Sequence, residues 1–191
     1  MAFRIPLFDD LARAWSDELP DKIGNDTLDD HVDYILPHVR AYGEDLREPE
    51  FWVGKRWKEV RDDATFHENI LHVFNPPNEY MLVVDGNILR GSWRHMAPYN
   101  SLILEVGGRS ELFDLAFLNP DFLILKKHGD QARKGQRKYF VLVHEYTARN
   151  IDWRNLMELL YNIYRSDSGR YSAWLLFILI VVGIILALSF G

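Results

Sequence analysis

Residues 79–118 read EYMLVVDGNILRGSWRHMAPYNSLILEVGGRSELFDLAFL. Short apolar runs alternate with turn chemistry at about ten-residue spacing, the signature of antiparallel strands. The stretch divides into candidate strands Glu79–Val84, Ile88–Met96, Ser101–Val106 and Glu111–Leu118. Asp85-Gly86 and Gly107-Gly108 between them suit the positive-φ geometry of tight hairpins. The rhythm extends both ways. Phe51–Val60 and His67–Phe74 precede this stretch, and Phe122–His128 and Lys138–Tyr146 follow it. Asn75-Pro76-Pro77-Asn78 cannot continue a ladder, Asn119-Pro120-Asp121 starts a turn, and His128 to Gln136 forms a longer tip. The expectation is a mainly β domain over 51–147, an antiparallel meander with Trp57 and Trp93 in its core. Such a meander closes into a small barrel or has its open edge covered by another element.

The flanks have a different texture. Residues 1–50 hold thirteen acids against five bases, a net charge of −8, whereas the whole chain carries −6. This asymmetry marks the segment as distinct from the β-domain, and the acidic total argues against nucleic acid as a partner. Leu7, Phe8, Leu11 and Trp15 recur at helical spacing, and His31 to Val39 forms a second amphipathic stretch interrupted by Pro37. The segment is therefore partly helical. Its apolar residues either pack on the domain or serve a protein partner, with Phe8, Leu11 and Trp15 as the candidate contacts.

After the β-domain, residues 148–170 hold an amphipathic helix, Asp152–Tyr164, and a short polar joint. Residues 171–191 form the last unit. Within it Ala173 to Phe190 reads AWLLFILIVVGIILALSF, an uncharged run. As a helix it spans roughly 27 Å, close to a bilayer's hydrocarbon thickness of ~30 Å. A C-terminal transmembrane helix is expected, with Arg165 and Arg170 before it placing the soluble domain in the cytoplasm of a single-pass protein.

Gly54-Lys55-Arg56-Trp57 and Gly91-Ser92-Trp93 add a further signal. With the strand rhythm over about residues 51–146 they resemble the lipocalin-like, or calycin, small barrels. In those barrels a glycine closely followed by tryptophan marks the first strand, and the tryptophan closes one barrel end. The resemblance implies a closed barrel and raises a small apolar molecule as a ligand. This chain places one extra residue between glycine and tryptophan and has no cysteine for a disulfide.

Motifs of catalysis are missing. With no cysteine there is no thiolate nucleophile or thiolate metal site. The histidines lack metal-ligand spacing, and neither a phosphate-binding loop nor a nucleophile elbow occurs. No cofactor is implied. One charge cluster stands out: Lys126, Lys127, Arg133, Lys134, Arg137 and Lys138 flank a single hairpin, opposed locally by Asp130. It reads as a solvated tip, or as a contact for anionic headgroups or an acidic partner. The functional expectation is a non-enzymatic, tail-anchored protein that presents a β-domain as an accessory or scaffold subunit of a membrane-associated complex. The alternatives are a membrane-tethered barrel for lipids or small apolar ligands and, more remotely, an enzyme with a dispersed site.

Overall fold

A computed structural model describes residues 19, 23–63, 65, 68–129 and 136–164. Eight antiparallel strands form a closed barrel in sequence order: β1 (Arg56–Val60), β2 (Ile70–Asn75), β3 (Glu79–Val84), β4 (Asn87–Met96), β5 (Ser101–Val106), β6 (Arg109–Leu118), β7 (Phe122–Lys127) and β8 (Tyr139–His144). Closure comes from β1 pairing with β8, in register Trp57↔His144 and Glu59↔Leu142. It removes the two edges that an open meander would leave unpaired.

The expected turns form as their chemistry requires. Asp85 and Gly86 both take positive φ, as do Gly107 and Gly108, which suits two-residue hairpins. At Gly91 a Cβ would lie 2.0 Å from the Glu105 carbonyl oxygen, so only glycine permits this approach of β4 to β5. The first strand starts later than its apolar text suggests. Pro49–Phe51 winds into a 3-10 turn, and the ladder begins only at Arg56.

One end of the barrel, the base, carries the turns around 75–78, 97–100 and 119–121. The other, the mouth, carries the hairpins at 85–86 and 107–108 and the ends of β1 and β7. Residues 43–53 cross the base and seal it. Leu46 and Trp52 are buried there with Trp57, Phe74 and Leu118. The plug is pinned by polar contacts as well. The Trp52 indole donates to the Leu46 carbonyl at 3.1 Å, the Trp57 indole to the Trp52 carbonyl at 3.0 Å, and the Leu46 amide to Asn100 Oδ1 at 3.1 Å.

Two helices cover one flank. Helix α1 (Leu28–Val39) starts from a capping box between Thr27 and Asp30, and its Leu28, Val32, Ile35 and Val39 are buried. Helix α2 (153–164) starts where Asp152 Oδ1 accepts the Asn155 amide at 2.8 Å, and it buries Leu156, Met157 and Leu160. Strand alternation turns Val60, Ile124, Val141 and Val143 outward, and these join both helix stripes in one core. A bulge in β6 between Leu115 and Phe117 shifts the register, so Phe117 joins the outer core while Leu118 joins the inner one.

Two expectations change and one open alternative is decided. Pro37 does not interrupt the second amphipathic stretch; it lies in the last turn of a twelve-residue helix. Only the carbonyl one turn back loses its partner there, and the buried stripe offsets that loss. Residues 23–53 follow the packing alternative, because α1 and the plug belong to the two cores. Trp93 is only partly buried, at the rim of the base cluster, although Trp57 is fully buried as expected. Among the described residues no helix is long and apolar enough to cross a membrane. The run 173–190 lies outside them.

Candidate functional site

Alternation places Trp57 and Glu59 of β1 on the inner face, and the register carries that face around the barrel. His72 pairs with Trp57 and Leu82, Leu82 with Leu89, and Leu104 with Glu111. Phe113 pairs with Lys127, and Leu125 with Phe140. Above the sealed base these inward-facing residues line the cup-shaped end of the lumen that the register brings together at the mouth. Its floor is aromatic: Phe113 and Phe140 lie 5.4 Å apart, and the His72 ring meets Phe140 edge-on at 4.9 Å. Its wall is open to solvent at Leu89, which is 52% exposed although it faces inward.

A polar chain crosses the floor. Glu59 Oε2 lies 3.2 Å from His72 Nε2, and His72 Nδ1 lies 2.5 Å from the Tyr80 hydroxyl oxygen. All three residues are buried. Arg61 donates from Nε to Glu59 Oε1 at 2.5 Å. Burial pushes the Glu59 carboxyl up, but hydrogen bonds from His72 and Arg61 and their charges outweigh it and hold the group at about 2. Ionised, Glu59 can only accept, so His72 Nε2 carries the proton of that bond. The Tyr80 hydroxyl stays protonated, pushed well above its ordinary range by burial and then by the charges of Glu59 and Glu111. At the rim Lys127 Nζ lies 3.8 Å from Glu111. The chain ties β1, β2 and β3 together by side chains and satisfies its own polar groups.

Among the described residues the basic cluster is not a free patch. Lys126 is exposed and Arg137 is partly buried, while Lys127 turns into the lumen toward Glu111. Lys138 Nζ meets Asp33 of α1 at 2.6 Å. Asp29 of α1 accepts the backbone amides of Lys138 and Tyr139 at 2.7 and 3.1 Å, capping the open start of β8. Thus Asp130 is not the sole opposing acid. The acidic N-terminal segment supplies counter-charges from a hundred residues away in sequence. Arg133, Lys134, Phe8, Leu11 and Trp15 lie outside the described residues.

Among the described residues the remaining histidines build no site. His144 meets Trp57 edge-on. His95 borders a shallow groove of about 520 Å³ with Trp93, Ser92 and Asn78 on the β4–β5 flank. Its buried Nε2 has no hydrogen-bond partner among the described residues, and burial lowers the imidazole below its ordinary value. Among the described residues no three His, Asp or Glu side chains gather as a metal site.

Glu59 was the legible signal that pattern reading passed over, since a carboxylate two residues after the core Trp57 must share its inward face. Tyr80 and His72 follow only from the register. Comparison with known protein families, with curated proteins and with solved structures finds no match to this chain.

Proposed function

We propose that this chain is a non-enzymatic, membrane-tethered presentation module. Residues 173–190 anchor it as a transmembrane helix, and the lipocalin-like barrel stands in the cytoplasm as a rigid body for a protein partner. The observation that carries this reading is the packed base. Trp52 lies edge-on to Phe74 at 5.3 Å and to Trp93 at 4.8 Å, with Trp57 and Leu46 fully buried among them. A lumen filled to this depth behaves as a core, whereas deep ligand chambers of barrels keep several hundred Å³ open. The uncharged run and its flanking arginines support the tether and its orientation. Residues 1–18 are the partner-binding arm, with Phe8, Leu11 and Trp15 as anchors.

The test is fractionation joined to affinity purification. Truncation after Ser168 should move the protein from the membrane to the soluble fraction. Deletion of residues 1–18 should leave it membrane-bound and folded but without its partner. A truncated protein that still pellets after a high-salt wash would refute the tether.

A second reading rests on the cup. Inward-facing yet exposed Leu89, with partly buried Leu82 and Val106, offers an apolar wall above the Glu59–His72–Tyr80 floor. A small apolar ligand would bind there. Saturable binding of an apolar fluorescent probe that Leu89→Arg abolishes would favour this reading over the scaffold.

A further inference from the structure

We infer that the sealed base of the barrel rests on the headgroup layer of a zwitterionic bilayer through Tyr42, Tyr99 and Tyr146, so that the mouth is presented away from the membrane. This rests on the anchor reading of 173–190.

The chain leaves the described domain at the base. The Tyr164 hydroxyl accepts from Asn119 Nδ2 at 2.9 Å, in the β6–β7 turn, and its ring stacks on Tyr42 at 5.1 Å. Helix α2 therefore runs from the mouth, where Arg154 meets Asp26 beside the start of α1, down to the base. Eight residues, 165–172, then separate Tyr164 from Ala173. Fully extended they reach roughly 30 Å. A six-residue strand is ~20 Å long, so bringing the mouth to the bilayer would use most of that reach on climbing back along the flank. With the base toward the bilayer, the joint needs no such extension.

The surface at this end has the chemistry of an interface. Tyr42, Tyr99 and Tyr146 are 48, 74 and 80% exposed. They come from three separate connections: the turn after α1, the β4–β5 turn, and the residues after β8. Each connection is bonded to the base. Glu44 donates to the Leu118 carbonyl, Asn100 holds the Leu46 amide, and the Glu145 amide donates to the Arg56 carbonyl. Tyrosine combines an apolar ring with a hydroxyl and concentrates at the headgroup level. The exposed apolar residues of the β3–β4 hairpin at the mouth, Ile88 and Leu89, are aliphatic.

Charge selects the lipid. Around the plug Glu44, Asp45, Glu48 and Glu50 outnumber the nearby cations: Arg47 is paired with Asp45, Lys55 donates to the Pro120 carbonyl at 3.5 Å, and Arg56 pairs with Glu145. This excess of acid opposes an anionic leaflet. Lys126 and Arg137, which would favour one, stand at the other end of the barrel. A neutral, zwitterionic surface with tyrosine contacts fits both facts.

The chain has no cysteine, so single labels are clean. The full-length protein is reconstituted into phosphatidylcholine vesicles with an environment-sensitive fluorophore on Pro98→Cys at the base or Ser110→Cys at the mouth. Quenching by headgroup-spin-labelled phosphatidylcholine is then read. The base label should be quenched several-fold more than the mouth label. Replacing Tyr42, Tyr99 and Tyr146 by serine should cut base quenching severalfold while the protein still floats with the vesicles. Stronger quenching at Ser110, or at neither site, in floating protein overturns the proposal, and so does base quenching that survives the tyrosine replacement. If mouth quenching appears only with phosphatidylserine, the lipid contact belongs to the basic hairpin and the base assignment falls. Failure to float refutes the anchor reading itself, an outcome separate from every other arm.

Discussion

Glu59→Gln removes a carboxylate that is only 9% exposed and is held between His72 and Arg61. Its titration moves from 4.5 to about 2 on folding. A carboxyl depressed this far contributes about 3 kcal/mol of stability at neutral pH. The sign follows from linkage. The unfolded chain takes up the proton first, so the contribution is complete above about 4.5 and is lost as pH falls toward 2. Wild type and variant should therefore differ by about 3 kcal/mol at pH 6, a melting difference of roughly 6–12 °C for a domain of this size. The gap should close steadily below pH 4.5, since a protonated glutamic acid and a glutamine offer His72 and Arg61 similar neutral oxygens. Denaturation followed by tryptophan fluorescence suits the assay, because Trp52 and Trp57 sit in the sealed base. Taking the difference between the two proteins cancels the titration of the other carboxylates. A gap that stays constant from pH 6 to the lowest pH that keeps the protein folded would refute the ionised, doubly bonded carboxylate.

Three further outcomes are expected. Trp57→Ala should cost about 3–5 kcal/mol in a chemical denaturation curve, and Trp93→Ala, only partly buried at the rim, should cost clearly less. Asp29→Ala should cost about 2 kcal/mol, because two backbone amides at the start of β8 lose a charged acceptor, and hydrogen exchange at Lys138 and Tyr139 should report it directly. Deleting residues 1–18 should leave the melting curve unchanged, whereas deleting 1–50 should collapse it, because Leu28, Val32, Ile35, Leu46 and Val39 are then removed from the two cores. A barrel that melts normally without residues 1–50 would show that α1 and the plug are dispensable.

The alternation of apolar and turn residues from Glu79 to Leu118 determined strand number, direction and hairpin positions by itself. Glu79–Val84 and Ser101–Val106 carry the boundaries the pattern predicts, because period-two burial and positive-φ turn residues are local properties. Closure into a barrel was left open between two solutions, and the β1–β8 pairing decided it. What lies inside was less legible. A strand has two faces, and in this fold both are buried along β7 and β8, one by the lumen and one by the helices. Apolar text cannot tell those faces apart. The Glu59–His72–Tyr80 chain needed register, since its members come from three strands and meet only when the ladders align. The capture of Lys138 by Asp33, and of the β8 amides by Asp29, needed the docking of α1 more than a hundred residues earlier in the chain. Long-range charge pairing leaves no local pattern, so only the tertiary structure decided that the basic hairpin and the acidic segment are partners.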